Sequence, residues 1–299
     1  MLAAALCAGF ALVAQAGAGQ PQSLRFGVAD DTGKYAADAG ASFFAQIASL
    51  GLRDDRMTVT WDPAHPLLIA DRVFLDRSIE TAANAGVLVR LAVRPATAGA
   101  IGTSATRARS FATFVASLAK RYPQVGTFVV GNEPNQPRFW QPQFIRGKAV
   151  AAAGYERMLA DTYDALKAVD PSVTVVGGVL SSRGNDDPAA SSNASRSPVR
   201  FIADLGAAYR ASGRTKPLMD QFGYHAYPRS NLDSLSRGLD WPDAGFVNLA
   251  RVKQALWDAF GGTAQPTIEN GLRISIDEIG WQTALPASSM SAYTGAETV

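Results

Sequence analysis

The chain has 299 residues, 47% of them apolar and 18% charged, which is enough for one large α/β domain with a substantial buried core. Net charge is only +2 and the lysines and arginines are scattered, so there is no basic stripe of the kind a nucleic acid partner requires. The only cysteine, Cys7, lies near the N-terminus. Its position leaves the rest of the chain without a thiol nucleophile, a disulfide framework or a thiolate metal site.

Leu2 to Val13 form an apolar run followed by Ala14-Gln15-Ala16 and Ala16-Gly17-Ala18. The run is too short to span a bilayer, and small residues of this kind suit signal-peptidase cleavage. Residues 1–18 are therefore expected to be a signal peptide, and residues 19–299 the mature domain of a secreted or extracytoplasmic protein. No membrane contact is expected after removal of the signal, and no obligate protein partner is evident. Arginine outnumbers lysine, a bias read as a GC-rich bacterial source.

Beyond the signal, short β-like runs alternate with longer helical ones. The predicted strands are Leu24–Asp30, Arg56–Trp61, Val87–Arg94, Thr127–Glu133, Val173–Leu180, Met219–Tyr227 and Leu272–Ile279. Near-continuous apolar runs such as Val87 to Val93 suit parallel strands buried on both faces. Between them, Ala39–Leu50 places Phe43, Phe44, Ile47 and Leu50 on one face, and Arg72–Ala85 shows Phe74, Leu75 and Ile79 before Gly86. Ala105–Arg121 carries Phe111, Phe114, Val115 and Leu118, and Tyr155–Val169 carries Met158, Leu159, Tyr163 and Leu166. Pro198–Tyr209 and Phe246–Phe260 complete the helices. Ser182–Ser197, rich in Ser, Asn and Asp, reads as a long surface loop, and its Asn193-Ala194-Ser195 matches a glycosylation acceptor fortuitously.

Strand then helix, repeated, is the signature of an all-parallel α/β fold. Gly27 and Gly33 do not make a dinucleotide-binding turn. Seven strands with reactive residues at several C-terminal ends favour a (β/α)₈ TIM barrel. The residues after Ile279 do not read as an eighth strand, so the barrel is expected to be truncated before closure, with an exposed parallel edge.

Two strand ends carry the chemistry. Phe128-Val129-Val130-Gly131-Asn132-Glu133-Pro134-Asn135 ends an apolar strand in an amide, a carboxylate and a proline. A glutamate at that rim, close to a second carboxylate, can hold a proton and pass it to a departing glycosidic oxygen. Ile274-Ser275-Ile276-Asp277-Glu278-Ile279-Gly280-Trp281 delivers the second carboxylate. Strands four and seven face each other across a barrel mouth, where two glutamates about 5–5.5 Å apart would suit a double displacement. Strand alternation sends Asp277 and Glu278 to opposite faces, with Glu278 expected in the lumen.

These two motifs resemble those of the clan A glycoside hydrolases, of the cellulase and β-xylosidase types, over Phe26 to Trp281. The resemblance implies Glu133 as general acid/base, Glu278 as nucleophile, and Asn132 as the amide that binds the sugar 2-hydroxyl. It implies that Tyr227 hydrogen-bonds the nucleophile and that His225 contacts substrate or the acid/base. Both also read as ordinary core residues. Arg56 begins its strand rather than ending it, so Arg94 is the expected bearer of the strand-two arginine's electrostatic role. Trp61, Trp140 and Trp281 are candidate sugar platforms, with Trp140 and Trp281 favoured because they follow the catalytic loops. The implied activity is a retaining glycosidase acting on a β-linked oligo- or polysaccharide, with a non-catalytic carbohydrate-binding barrel as the alternative.

No cofactor is expected. With His65 and His225 the only histidines, a histidine-rich metal site is excluded, as are a Gly-x-Ser-x-Gly elbow, a strand-end Schiff-base lysine and a phosphate cup.

Overall fold

A computed structural model describes residues 24–230 and 232–281. The expected signal peptide, Cys7 and the residues after Trp281 lie outside the described residues. Seven parallel strands form one sheet in sequential order. They are β1 (Gly27–Val28), β2 (Asp54–Trp61), β3 (Leu88–Pro95), β4 (Thr127–Val130), β5 (Thr174–Ser181), β6 (Gln221–His225) and β7 (Arg273–Glu278). The main helices are α1 (Ala41–Ser49), α2 (Arg72–Asn84), α3 (Ala105–Arg121), α4 (Ala151–Val169), α5 (Pro198–Ser212) and α6 (Leu249–Phe260). Each strand from β1 to β6 is thus followed by its helix.

The sheet curls. Arg90 of β3 reaches Ser275 of β7 at 3.1 Å, which a flat sheet of this order would forbid. The result is a TIM-barrel-like fold that is incomplete among the described residues, with β1 and β7 at the two ends of the sheet. No helix among the described residues is long and apolar enough to cross a membrane.

Local signals explain the helices. Ser104 caps α3 by accepting the Arg107 N–H at 3.3 Å, and Phe111, Phe114, Val115 and Leu118 all point into the core. Pro198 opens α5, and Gly213, at φ +67°, closes it in the left-handed conformation. α4 begins four residues before the predicted start, on the run Ala151-Ala152-Ala153. Gly154 in its first turn has a packing reason, since a Cβ there would lie 2.3 Å from the Gly102 carbonyl oxygen. Leu50, predicted on the buried face of α1, is instead 70% exposed because it sits past the helix end.

The core divides in two. A large cluster fills the space between sheet and helices, with Met57, Val59 and Trp61 on the outward face of β2. Inside the curl, Ala92, Val129, Val176 and Val179 form a small apolar plug. Toward the other end of the curl, Arg90, Gln221 and Ser275 supply polar filling.

Three strands depart from regular geometry, one at its end and two by bulges. β4 stops at Val130 because Gly131 (φ +88°) and Glu133 (φ +38°) are left-handed, so Glu133 stands on a turn beyond the strand. β5 bulges: Gly178 pairs with Gly223 and Leu180 with Tyr224, which leaves Val179 extra at φ +53°. β7 bulges as well, since Tyr224 pairs with Ile276 but His225 pairs with Glu278, leaving Asp277 extra.

Candidate active site

Four strand ends meet at the mouth of the curl. Glu133 is fixed by its backbone, whose N–H donates to the Val179 carbonyl at 2.9 Å. Two left-handed residues are thus tied to each other, one of them β-branched, and strain of this kind persists only where surroundings over-determine it. Pro134 and buried Asn135 follow immediately.

His225, at the end of β6, is fully buried, and its Nδ1 lies 3.0 Å from Glu133 Oε1 and 3.5 Å from Glu278 Oε2. Two carboxylate oxygens that share one nitrogen cannot be farther apart than the sum of those lengths. The two carboxylates are thus neighbours across the mouth, joined through one imidazole nitrogen. Both glutamate side chains keep partial exposure, 17% and 21%, so a substrate can reach them.

Glu278 is held from two sides. Arg56 meets Oε1 at 2.9 Å, and the Tyr227 hydroxyl donates to Oε2 at 3.2 Å. Arg56 also binds Asp277 Oδ2 at 2.8 Å and donates to Asn132 Oδ1 at 3.1 Å. One guanidinium fork therefore joins the strand-four turn to both acidic residues of β7. With its carbonyl oxygen occupied, Asn132 presents its NH2 as the group left to donate.

Asp277 departs from expectation. It does not face away from the lumen but lies buried beside Arg56, with Arg90 at 4.0 Å and His225 Nε2 at 3.8 Å, ion-pair distances rather than hydrogen bonds. The bulge in β7 puts two residues opposite one, so both acids turn to the same side. Burial works against the Asp277 charge, but His225, Arg56 and Arg90 outweigh it and hold the carboxyl below the usual carboxylate range. Burial likewise opposes charge on His225, yet Asp277, Glu133 and Glu278 together raise the imidazole to about 9.

Arg56, passed over because it begins its strand, therefore occupies the place expected of Arg94. Arg94 is half-buried, and among the described residues its guanidinium reaches the Pro95 carbonyl, at 3.5 Å, and makes no ion pair to either glutamate. Strands in a barrel are tilted and staggered, so rank along one strand does not give depth relative to another. A lone arginine on the inward parity of β2, in line with Thr58 and Thr60, was the signal available.

His225 has no exposed surface for a sugar, which leaves contact with the two glutamates. Trp140 is also not a platform: it is 2% exposed and packs edge-on against Tyr155 with ring centroids 5.9 Å apart. Trp61 is buried against Phe111, with its indole N–H donating to the Pro66 carbonyl. Trp281 is half-buried, and its indole N–H donates to the Asp233 carbonyl at 2.9 Å. Ser182–Ser197 is the long surface loop expected, exposed through its middle, but its ends are anchored, with Ser182, Ser195 and Ser197 buried. Among the described residues no cluster of His, Cys, Asp or Glu is arranged to hold a metal ion.

No family model and no curated protein sequence matches the chain. Solved structures do. A GH39 β-xylosidase from Caulobacter crescentus is similar at TM-score 0.54 and 19% identity, over 87% of this chain and 54% of that one. A GH39 enzyme from Xanthomonas axonopodis pv. citri gives 0.53 and 17%, over 87% and 51%. A family 5 glycoside hydrolase from Prevotella bryantii B14 gives 0.50 and 14%, over 83% and 70%. The chain has the fold of the clan A glycoside hydrolases. It spans about half the length of the family 39 chains it matches, and at these identities the likeness establishes the fold alone.

Proposed function

We propose that this protein is a retaining glycoside hydrolase that cleaves O-glycosidic bonds of a β-linked saccharide by double displacement. The observation that carries the reading is the convergence of Glu133 and Glu278 on a single His225 nitrogen at the open mouth of the curled sheet.

Glu278 is the nucleophile. Arg56 and Tyr227 bind its two oxygens and hold it aimed. It attacks the anomeric carbon as the bond to the leaving oxygen breaks, and Glu133 supplies that oxygen with a proton. Water then attacks the anomeric carbon of the glycosyl ester and gives a proton to Glu133, and the bond to Glu278 breaks. Asn132 donates to the sugar hydroxyl next to the reacting carbon, and its orientation is set by Arg56. His225 positions both glutamates from below. Trp281 stands at the rim as a candidate sugar contact.

The test is a pair of variants with a stereochemical readout. Glu278→Ala is expected to abolish turnover of activated aryl glycosides, and Glu133→Ala to slow poor leaving groups far more than good ones. NMR of the first-formed product should show the substrate's own anomeric configuration. Turnover surviving in Glu278→Ala, or an inverted first product, overturns the reading. Saccharide binding without any product would identify a carbohydrate-binding barrel instead.

A further inference from the structure

Basic residues are spread along the chain, but acids are not. Between Glu80 and Glu156 the only acid is Glu133, against nine lysines and arginines. That stretch carries a net charge of +8, and the rest of the chain −6. It runs from the end of α2 through β3, α3 and β4 into the start of α4, so the excess is confined to one quadrant of the fold. The overall value of +2 conceals it.

Most of this charge stands at the mouth. Arg94 shares the inward face of β3 with Ala92 of the inner plug, and the Gly131 N–H donates to the Val93 carbonyl at 2.8 Å, which sets the Glu133 turn beside it. Segments that follow strands lie at the mouth end, as do the first turns of the helices after them. Arg107 is therefore at the mouth end of α3, and Arg138 on the segment after β4. The same segment pairs Phe144–Ile145 with Lys148–Ala149 in a hairpin turned by Arg146 and Gly147, at φ +49° and +77°. Arg107, Arg138, Arg146 and Lys148 are exposed, and Arg94 is half-buried. None of the five has a carboxylate within 4.0 Å among the described residues.

A half-buried guanidinium without a counterion loses part of its hydration, and a bound anion restores the balance. Four exposed charges of one sign around it repel each other in the free protein and attract a polyanion. Screening at physiological salt cuts such fields off within about 8 Å, so the quadrant acts by its own charge rather than by that of the whole chain. Nucleic acid fits it poorly. Every aromatic ring in the stretch is buried or half-buried, and Phe139 is already covered by the Arg138 guanidinium at 5.6 Å, so no ring is left for a base to stack on. We infer that this quadrant binds an anionic polysaccharide, with Arg94 pairing the carboxylate or sulfate nearest Glu133 and the rim charges holding the units beyond. The choice of a saccharide rests on the glycosidase reading; the choice of an anion rests on the surface itself.

The experiment uses three polymers with one backbone: poly-β-mannuronate, β-mannan and sulfated β-mannan. Equilibrium binding to the full chain is expected to be about tenfold tighter for poly-β-mannuronate than for β-mannan at low salt, and the difference should shrink as salt is raised to about 0.5 M. Arg146→Asn suits the positive φ of the hairpin turn. Combined with Lys148→Ser it should weaken binding of the acidic polymer about fivefold, with binding of β-mannan and turnover of aryl glycosides unchanged. Arg94→Gln should weaken it further, because that charge is the more buried one. Whichever of the two charged polymers loses more in Arg94→Gln carries the anion that Arg94 pairs.

Equal affinity for charged and neutral polymers at low salt overturns the inference, as does acidic-polymer binding that survives in both variants. Poly(U) bound as tightly as poly-β-mannuronate, with the same losses in the variants, overturns it in favour of a nucleic acid partner. Salt-sensitive binding of the acidic polymer that the variants weaken, with no hydrolysis of any saccharide, sinks the hydrolase reading and leaves this surface standing. Hydrolysis of neutral aryl glycosides with no preference for an acidic polymer does the reverse.

Discussion

Raising the pH should discharge His225 and loosen the site from within. The imidazole is fully buried, and burial alone would push it below its ordinary value of 6.5; three carboxylates within 3.0–3.8 Å reverse the sign and bring it to about 9. A group whose folded value is raised stabilises the fold fully below its unfolded value. That contribution is lost as pH climbs through the folded one, so the window here runs from 6.5 to about 9. At 1.36 kcal/mol per unit the contribution is on the order of 3 kcal/mol. Asp55 contributes a second decline. Its carboxyl is fully buried with neither oxygen hydrogen-bonded, and burial pushes it up from 3.8 to about 8, so it too favours the folded state less as pH rises over that span. Urea unfolding in an Asp55→Asn background isolates the histidine. The direct readout is proton NMR of a His65→Gln variant, which leaves His225 as the only imidazole. A midpoint near 9 is expected, with unfolding free energy falling across the same window. A midpoint at or below 6.5 would refute the electrostatic reasoning.

Two further outcomes follow from contacts around the site. Arg56→Met strips the buried partner from Asp277, Glu278 and Asn132 at once and should cost about 3–5 kcal/mol at pH 7. Because Asp277 is held below its ordinary 3.8, its ion pair is present above that value and lost as pH falls through the lower folded one, so the penalty should shrink in acid. Denaturant titrations at pH 7 and pH 3 check this, and a loss under about 1 kcal/mol at neutrality contradicts it. Trp140→Ala should act on stability, by about 3–5 kcal/mol from the cavity left against Tyr155; weakened sugar binding with unchanged stability would return Trp140 to the substrate site.

Much of the fold was legible because its signals are local. Seven apolar runs and six amphipathic ones, punctuated by Gly86, Pro123, Pro171 and Pro198, reappear as strands and helices in the same order. That Glu133, Glu278, Asn132, His225 and Tyr227 gather at one rim was legible because each stands where an apolar run ends. Arg56 and Asp277 were misread, and for a shared reason. Their roles depend on how strands are staggered and bulged against their neighbours, which is decided by pairing between distant segments and leaves little mark on the periodicity of any one strand. Trp140 was misread because a tryptophan beside the Glu133 turn reads the same whether it faces the cleft or the helices behind it. Asn135 was visible as a letter in the motif, but the three residues its side chain binds lie 46 to 61 residues away.

The departures from regular geometry fall around the candidate site. A regular β4 would have continued through Glu133 and spent its N–H on a strand neighbour. The left-handed turn instead lets that N–H find the Val179 carbonyl, exposed only because β5 bulges there. A regular β7 would have turned Asp277 outward, away from Arg56. The guanidinium would then have met Glu278 alone, and the buried imidazole would have lost one of its three anions. Each irregularity breaks strand pairing locally, and each is held by a bond to the next: the β4 turn to the β5 bulge, and the β7 bulge through Arg56 to Asn132 back on the β4 turn. Both links run through the β4 turn, which is therefore over-determined from two sides, as strained backbone must be in order to persist.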